Sequence, residues 1–408
     1  MQRDGAIVSE HPMPGVFTPE LLVLDRGSGC RVSDISGRSY LDFGGGIAVN
    51  ALGYGREDLA EAAADQMRKL VHVSNLYATE PALALAEKLI ASAPTRAAIG
   101  NVQFTNSGSE ANETALKYAR LLAARSGRTG KHRIACFSGA FHGRTMGALS
   151  CTPTEKYQEP YAPLIGGVTA LPFNDADAAA AALDDSFCAV IVEVVQGEGG
   201  LDVMSERFAH TLNELCRRHA IMLIADEVQT GLSRTGELYA SSLVGLEPDL
   251  ITLAKPLGGG LPLAATLIPR PINALLHIGD HGTTFGGGPV TCAVGNVVWD
   301  IVAAPAFVAT VRARGRYLQA GLQKLADASP MLGAVKGAGL LTGVTVTGEV
   351  DGAPAIGKLV PTLRDAGMLA LRSGDDVLRL APPLIVSEAE IDEALAIIAA
   401  AVAALGGE

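Results

Sequence analysis

Residues 221–260 read IMLIADEVQTGLSRTGELYASSLVGLEPDLITLAKPLGGG. Two apolar runs in this stretch, IMLIA (221–225) and LITLA (250–254), have strand length and end at charged residues, Asp226 and Lys255. Three earlier segments have the same shape, an apolar run followed by polar residues or glycine: NVQFTNSG (101–108), RIACFSG (133–139) and AVIVEVVQGEG (189–199). Between them lie helical patterns such as ANETALKYARLLAAR (111–125) and FAHTLNELCRRHA (208–220). Strands alternating with helices imply an α/β fold with a mostly parallel sheet, in which ligands sit at the carboxyl ends of the strands. Asp226 and Lys255 are both expected at that edge.

Outward from this centre the pattern changes. LLVLD (21–25) and RVSDISGRSYLDF (31–43) are strand-like runs separated by turn residues, which predicts a small antiparallel unit near the N-terminus. AEAAADQMRKLV (60–71) and ALALAEKLIAS (82–92) carry helical spacing. After about Pro305 the order is helix, strand, helix, strand and two closing helices, a second α/β unit. At 408 residues the chain exceeds the size of a single core, so a division follows: 1–52 with 305–408 in a small domain, 53–304 in a large one.

Nearly half the residues are apolar and the net charge is −11. That balance gives no basic footprint for nucleic acid or an anionic membrane, so a small-molecule ligand is the expected partner. The six cysteines (Cys30, Cys136, Cys151, Cys188, Cys216 and Cys292) form no CxxC pair, and no metal-ligating spacing accompanies them. With no apolar signal region in MQRDGAIVSE, a reducing, cytoplasmic setting is expected. The longest apolar stretch, Ala394 to Leu405, is too short to span a bilayer and reads as a buried helix.

Taken alone, Lys255 is either a lysine snorkelling at the sheet rim or one that forms a Schiff base. Asp226 alone is equally a turn or helix cap. Together at one sheet edge they suit a pyridine cofactor, which needs an amine for its aldehyde and a carboxylate for its ring nitrogen. Asn106-Ser107-Gly108-Ser109-Glu110 precedes a helix and offers free N–H groups to a phosphate, although the same residues make an ordinary N-cap. No Walker loop or strand-GxGxxG-helix signature accompanies it.

Further segments, in order, are GGGIAVNALG (44–53), HVSNLYATEPALALAEKL (72–89), FTNSGSEANETALKYAR (104–120), FHGRTMGALS (141–150), EVVQGEGG (193–200), LAKPLGGGLPLAA (253–265), HGTTFGGGP (281–289) and LRLAPPL (378–384). On these the chain resembles the class III, ω-type aminotransferases of the pyridoxal-phosphate fold type I superfamily, from about Leu22 to Pro383. The resemblance implies a seven-stranded, mostly parallel sheet flanked by helices, plus a small α/β domain. It implies pyridoxal 5'-phosphate on Lys255, with Asp226 at the ring nitrogen, Gln229 at the ring hydroxyl, and Val228 and Phe141 on the two ring faces. Glu193 belongs to the same cofactor site. Ser107, Gly108 and Ser109 would hold the phosphate, joined across a homodimer interface by Thr284, with Thr283 near the substrate.

For substrates the resemblance implies that Arg379 takes the α-carboxylate of glutamate and Arg144 the other carboxylate. With an acylated ornithine, Arg144 would bind the α-carboxylate while Glu198 neutralises Arg379. The reaction implied is ping-pong transfer of the terminal amino group of N2-acetylornithine to 2-oxoglutarate, with Lys255 as proton shuttle. Succinylornithine, ornithine, 4-aminobutyrate or an acylated lysine are the alternative donors. Departures from the family pattern occur at Gly53-Tyr54-Gly55-Arg56-Glu57, at Val194 within Glu193-Val194-Val195-Gln196, which leaves the cofactor residue Glu193 in place, and at Phe17 and Gly288, which bear on substrate preference.

Overall fold

The computed structural model describes residues 22–406 and, ahead of them, a short antiparallel pair, Gln2–Arg3 with Ala6–Ile7. Phe17 lies outside the described residues. The central sheet has seven strands: β1 Ile99–Thr105, β2 Arg133–Phe137, β3 Val168–Leu171, β4 Phe187–Val192, β5 Met222–Asp226, β6 Leu250–Leu253 and β7 Ala264–Pro269. Their order is β1-β7-β6-β5-β4-β2-β3, parallel from β6 through β3, with β7 antiparallel to both β6 and β1. Strands β4, β6 and β7 are buried along their whole length, which is why β4 and β6 read as near-continuous apolar runs.

Strands β3 and β7 were not visible as separate runs. VTAL (168–171) is a four-residue edge strand with only Leu171 buried, and AATLIP (264–269) emerges directly from a glycine-rich turn. The register settles the main expectation: Asp226 pairs with Thr252, so β5 and β6 end side by side. Beyond β6 the backbone breaks sharply, with Lys255 at a φ of 31°, into a short 3-10 turn over Lys255–Gly258. A non-glycine residue in that region is strained and is held there by its surroundings.

The flanking part is built from both ends of the chain. Leu24–Ser28, Arg31–Asp34 and Ser39–Asp42 form an antiparallel meander, and Met368–Leu369 adds to it in parallel. A second sheet runs in the order Leu332–Ala338, Leu341–Val346, Val377–Leu380, Leu371–Ser373, all antiparallel. Leu41 and Phe43 share one core with Leu318, Leu322, Leu380 and Ile391. The two closing helices expected at the C-terminus are a single one, Glu388–Gly406, because Ser387 and Glu390 cap its start reciprocally and nothing interrupts the alanine-rich run that follows. Its inner face buries Ile391, Ala394, Ile398, Ala401 and Val402. Among the described residues no single helix is long and apolar enough to cross a membrane.

Candidate active site

The carboxyl ends of β4, β5 and β6 meet a helix, α1, over Gly108–Arg125. Asp226 is 4 % exposed, and its cost of burial is offset by three donors. Asn112 Nδ2 and His142 Nδ1 donate to Oδ2 at 2.8 and 2.7 Å, and the Val228 amide donates to Oδ1 at 3.0 Å. Asn112 is itself fixed, accepting from Thr252 Oγ1 and donating to the His142 carbonyl, both at 2.8 Å. Burial pushes the His142 imidazole down, but the Asp226 hydrogen bond and the Asp226 and Glu193 charges outweigh it and hold its pKa above the ordinary value.

A cavity of about 490 Å³ opens over this floor. Lys255 lines it, and its amine is pushed down to about 8, chiefly by burial and then by the nearby Arg379 charge. Glu193, also on the wall, is pushed up to about 7, first by burial; its Oε2 accepts the Phe141 amide at 2.9 Å. Gln229 lines the cavity with its Nε2 buried and, among the described residues, without a partner, an unspent donor. Val228 and Phe141 are on the wall too.

Ser107, Gly108 and Ser109 line one end, at the start of α1. Ser107 is the N-cap in a reciprocal pairing with Glu110, so the capping alternative is real. A Cβ at Gly108 would come within 2.6 Å of Val228 Cγ1, so only glycine lets the helix close on the cavity. Ser109 Oγ accepts the Arg144 amide at 3.3 Å.

Arg379 is 3 % exposed; its Nη1 donates to Glu198 Oε1 and to the Gly197 carbonyl, both at 2.6 Å. Glu198 faces the cavity, whereas Arg379 is screened behind it. Arg144 is exposed and does not itself line the cavity; it follows the lining residue Gly143 at the rim, its guanidinium carbon 3.7 Å from the centre of the Tyr157 ring and 5.4 Å from that of Phe141. Thr283 receives a hydrogen bond from Asn106 Nδ2 at 3.2 Å, close to the phosphate end. Thr284 is exposed and outside the cavity of its own chain.

A buried carboxylate, an amine depressed toward neutrality, an orphaned amide donor and a helix N-terminus closing on one cavity fit pyridoxal phosphate atom for atom in type. The class-III aminotransferase model ("Aminotransferase class-III") matches residues 16–402. The chain belongs to the class-III aminotransferases. Acetylornithine aminotransferase of Neisseria meningitidis is 42 % identical over 379 residues, 93 % of this chain and 94 % of that protein. Succinylornithine transaminase of Yersinia enterocolitica is 42 % identical over 386 residues, 93 % of this chain and 92 % of its relative. The crystal structure of N-acetylornithine aminotransferase from Stenotrophomonas maltophilia superposes with a TM-score of 0.82 at 34 % identity, over 96 % of this chain and 98 % of that one.

This aminotransferase is therefore a transaminase that uses pyridoxal phosphate. Its site also contains residues that sequence reading passed over. His142 sits between Phe141 and Arg144 in a motif already singled out, and Asn112 follows the capping residues on α1. Only an aspartate with nothing yet assigned to its second oxygen hinted at them. Among the described residues no group of three or more His, Cys, Asp or Glu side chains could hold a metal ion.

Proposed function

We propose that this aminotransferase moves the terminal amino group of N2-acetylornithine to 2-oxoglutarate, giving N-acetylglutamate semialdehyde and glutamate, a step of arginine biosynthesis. The observation that carries the reading is the Arg379–Glu198 pair beside the cavity, with Arg144 open at the rim. N2-Acetylornithine presents one carboxylate, which Arg144 takes, while Glu198 keeps Arg379 occupied. A dicarboxylate such as glutamate needs two cationic forks, and it obtains the second when Glu198 turns away. Each such contact contributes about 1.5–3 kcal/mol. Succinylornithine, the substrate in the name of one relative, meets the same forks and is the second reading.

Pyridoxal phosphate supplies, when bound, a carbonyl that captures the amine and a ring that stabilises the charge left on the substrate carbon when its proton departs. Lys255 would hold that carbonyl and, once displaced, move the proton at the substrate carbon. Asp226 would meet the ring nitrogen, held in place by His142 and Asn112. The free donor of Gln229 would take the ring hydroxyl, with Val228 and Phe141 on the ring faces and Glu193 behind. Ser107, Gly108 and Ser109 would bind the phosphate through the start of α1, and Thr283 would border the substrate.

We also infer a homodimer in which Thr284 reaches the phosphate of the neighbouring site. Support comes from the surface around it: Val71, Leu76, Tyr77 and Phe285 are exposed, and the segment bearing them is tied to the Thr284 loop by the His72–Phe285 ring contact and by Asn75 donating to the Thr283 and Gly286 carbonyls. The shared core of Leu41, Phe43 and Ile391 supports grouping 1–52 with 305–408, leaving 53–304 as the cofactor-binding unit. Six free, buried cysteines suit a reducing cytoplasm.

The test is a set of kcat/KM values for acetylornithine, succinylornithine, ornithine and 4-aminobutyrate with 2-oxoglutarate. Acetylornithine should exceed 4-aminobutyrate by about tenfold or more, because 4-aminobutyrate carries its single carboxylate one carbon nearer the amine and so loses the charge-assisted contact with Arg144. A higher value for 4-aminobutyrate would overturn the assignment.

A further inference from the structure

Arg144 has an unusual setting for an exposed arginine. Among the described residues its side chain makes no hydrogen bond or ion pair, yet its guanidinium carbon lies over the Tyr157 ring, 3.7 Å from the ring centre. A guanidinium stacked by its face keeps its in-plane N–H groups free, and those are the groups that take a carboxylate in a bidentate fork. The stack therefore orients the cation without consuming its donors. An ion pair would do the opposite, as Glu198 does at Arg379.

The platform itself is held rigidly. Tyr157 lies on the short helix Glu155–Gln158, and Gln158 Nε2 donates to the carbonyls of Leu149, Ser150 and Thr152 at 2.9, 3.3 and 3.0 Å. Those carbonyls end the helix Met146–Ser150 that follows Arg144. The start of that helix is fixed in turn by Glu113 of α1, whose Oε1 accepts from Thr145 Oγ1 at 2.7 Å and from the Gly147 and Ala148 amides at 2.8 and 3.1 Å. The Phe141 ring meets Tyr157 edge-on, with centroids 6.5 Å apart at 87°. One rigid frame thus carries the phosphate-end helix, the Phe141 wall and the Arg144 stack.

We propose that Tyr157 is a specificity-determining positioning residue: its ring face holds the Arg144 guanidinium so that the guanidinium edge receives the substrate carboxylate. It selects amino donors that carry a carboxylate against diamines that lack one. The ring face, and not the phenol oxygen, carries the effect. This inference rests on the reading that Arg144 binds a substrate carboxylate, so its test includes Arg144→Ala.

The experiment compares wild type, Arg144→Ala, Tyr157→Leu and Tyr157→Phe as cofactor-loaded enzymes. For each, kcat/KM for acetylornithine is divided by that for 1,4-diaminobutane, and the dissociation constant of glutarate, an unreactive dicarboxylate, is measured by calorimetry. Tyr157→Leu should lower the ratio about fivefold to tenfold, through KM and not kcat, and weaken glutarate to a similar extent. Tyr157→Phe should restore the wild-type ratio within about twofold, because it keeps the ring face. A fall in Arg144→Ala without a fall in Tyr157→Leu overturns the platform while sparing the Arg144 reading. Equal losses in Tyr157→Leu and Tyr157→Phe also overturn it, by assigning the effect to the hydroxyl. No change in Arg144→Ala overturns the Arg144 reading itself and the platform with it.

Discussion

The floor of the site and its rim are built to different standards of completeness. At the floor, Asp226 is enclosed and its oxygens are met by Asn112, His142 and the Val228 amide, all from the same chain. At the rim, the Arg144 side chain meets only aromatic rings among the described residues, and Thr284, outside the cavity of its own chain, is exposed beside exposed Phe285. A buried charge must find its partners during folding, since leaving it unpaired costs several kcal/mol. An exposed cation has water and can wait for a ligand. The floor is therefore finished by the fold, and the rim by substrate and, on our reading, a second subunit.

The comparison breaks most completely at Lys255. Lys255→Ala should abolish single-turnover transamination by a factor of about 10⁴ or more, since it removes both the nucleophile and the proton carrier. Retained turnover near the wild-type rate would refute the mechanism. Next is Asp226→Asn, which leaves His142 and Asn112 donating to an amide; kcat should fall about 10²–10³-fold, while the folded protein still binds cofactor visibly in its absorption spectrum. If kcat hardly moves, the finished floor is structural rather than chemical.

The rim should respond more mildly. Thr284→Ala removes one hydroxyl from an anion site, so the cofactor dissociation constant should rise about tenfold, one charge-assisted hydrogen bond, with kcat at saturating cofactor little changed. Mixing Thr284→Ala with Lys255→Ala subunits sharpens the point. If Thr284 serves the neighbouring chain, hybrid dimers contain one site with neither defect; if it serves its own, every Lys255 site that works has the weak phosphate grip.

The last test is a pH dependence at the floor. Burial depresses the Lys255 amine to about 8, so below that value it is mostly protonated and cannot attack an aldehyde, and above it the neutral amine is available. Uptake of pyridoxal phosphate by the cofactor-free enzyme, followed by absorbance, should speed up by nearly tenfold per pH unit below about 8 and level off above it. A rate still climbing steeply beyond pH 9 would mean that Lys255 keeps an ordinary lysine pKa.

Much of the site was legible because its residues punctuate strands. Asp226 ends β5, and Lys255 follows β6, positions where an apolar run stops and chemistry can begin. The capping sequence before α1 was equally plain: of its two readings the cap is formed, by Ser107 and Glu110. His142 was not legible. Its ring turns inward onto Asp226, 84 positions on, through a loop whose path depends on Thr152, 10 positions after it, and Asn112, 30 positions before it. Strand β7 was hidden because a glycine-rich turn leads straight into it and its direction is opposite to that of its parallel neighbours.

Local chemistry determined which segments become strands and helices, where Lys255, Asp226 and the Ser107–Ser109 cradle fall, and, through the order of its motifs, the family. Periodicity and capping are short-range properties, and they are written in consecutive residues. Only the tertiary structure decided that Asp226 lies opposite Thr252, that Glu198 reaches Arg379 across 181 positions, and that residues 24–42 complete a core built largely by the C-terminal third. Those pairings arise from burying apolar faces against distant partners and from satisfying every charge so enclosed. Such constraints act between segments, and no single segment records them.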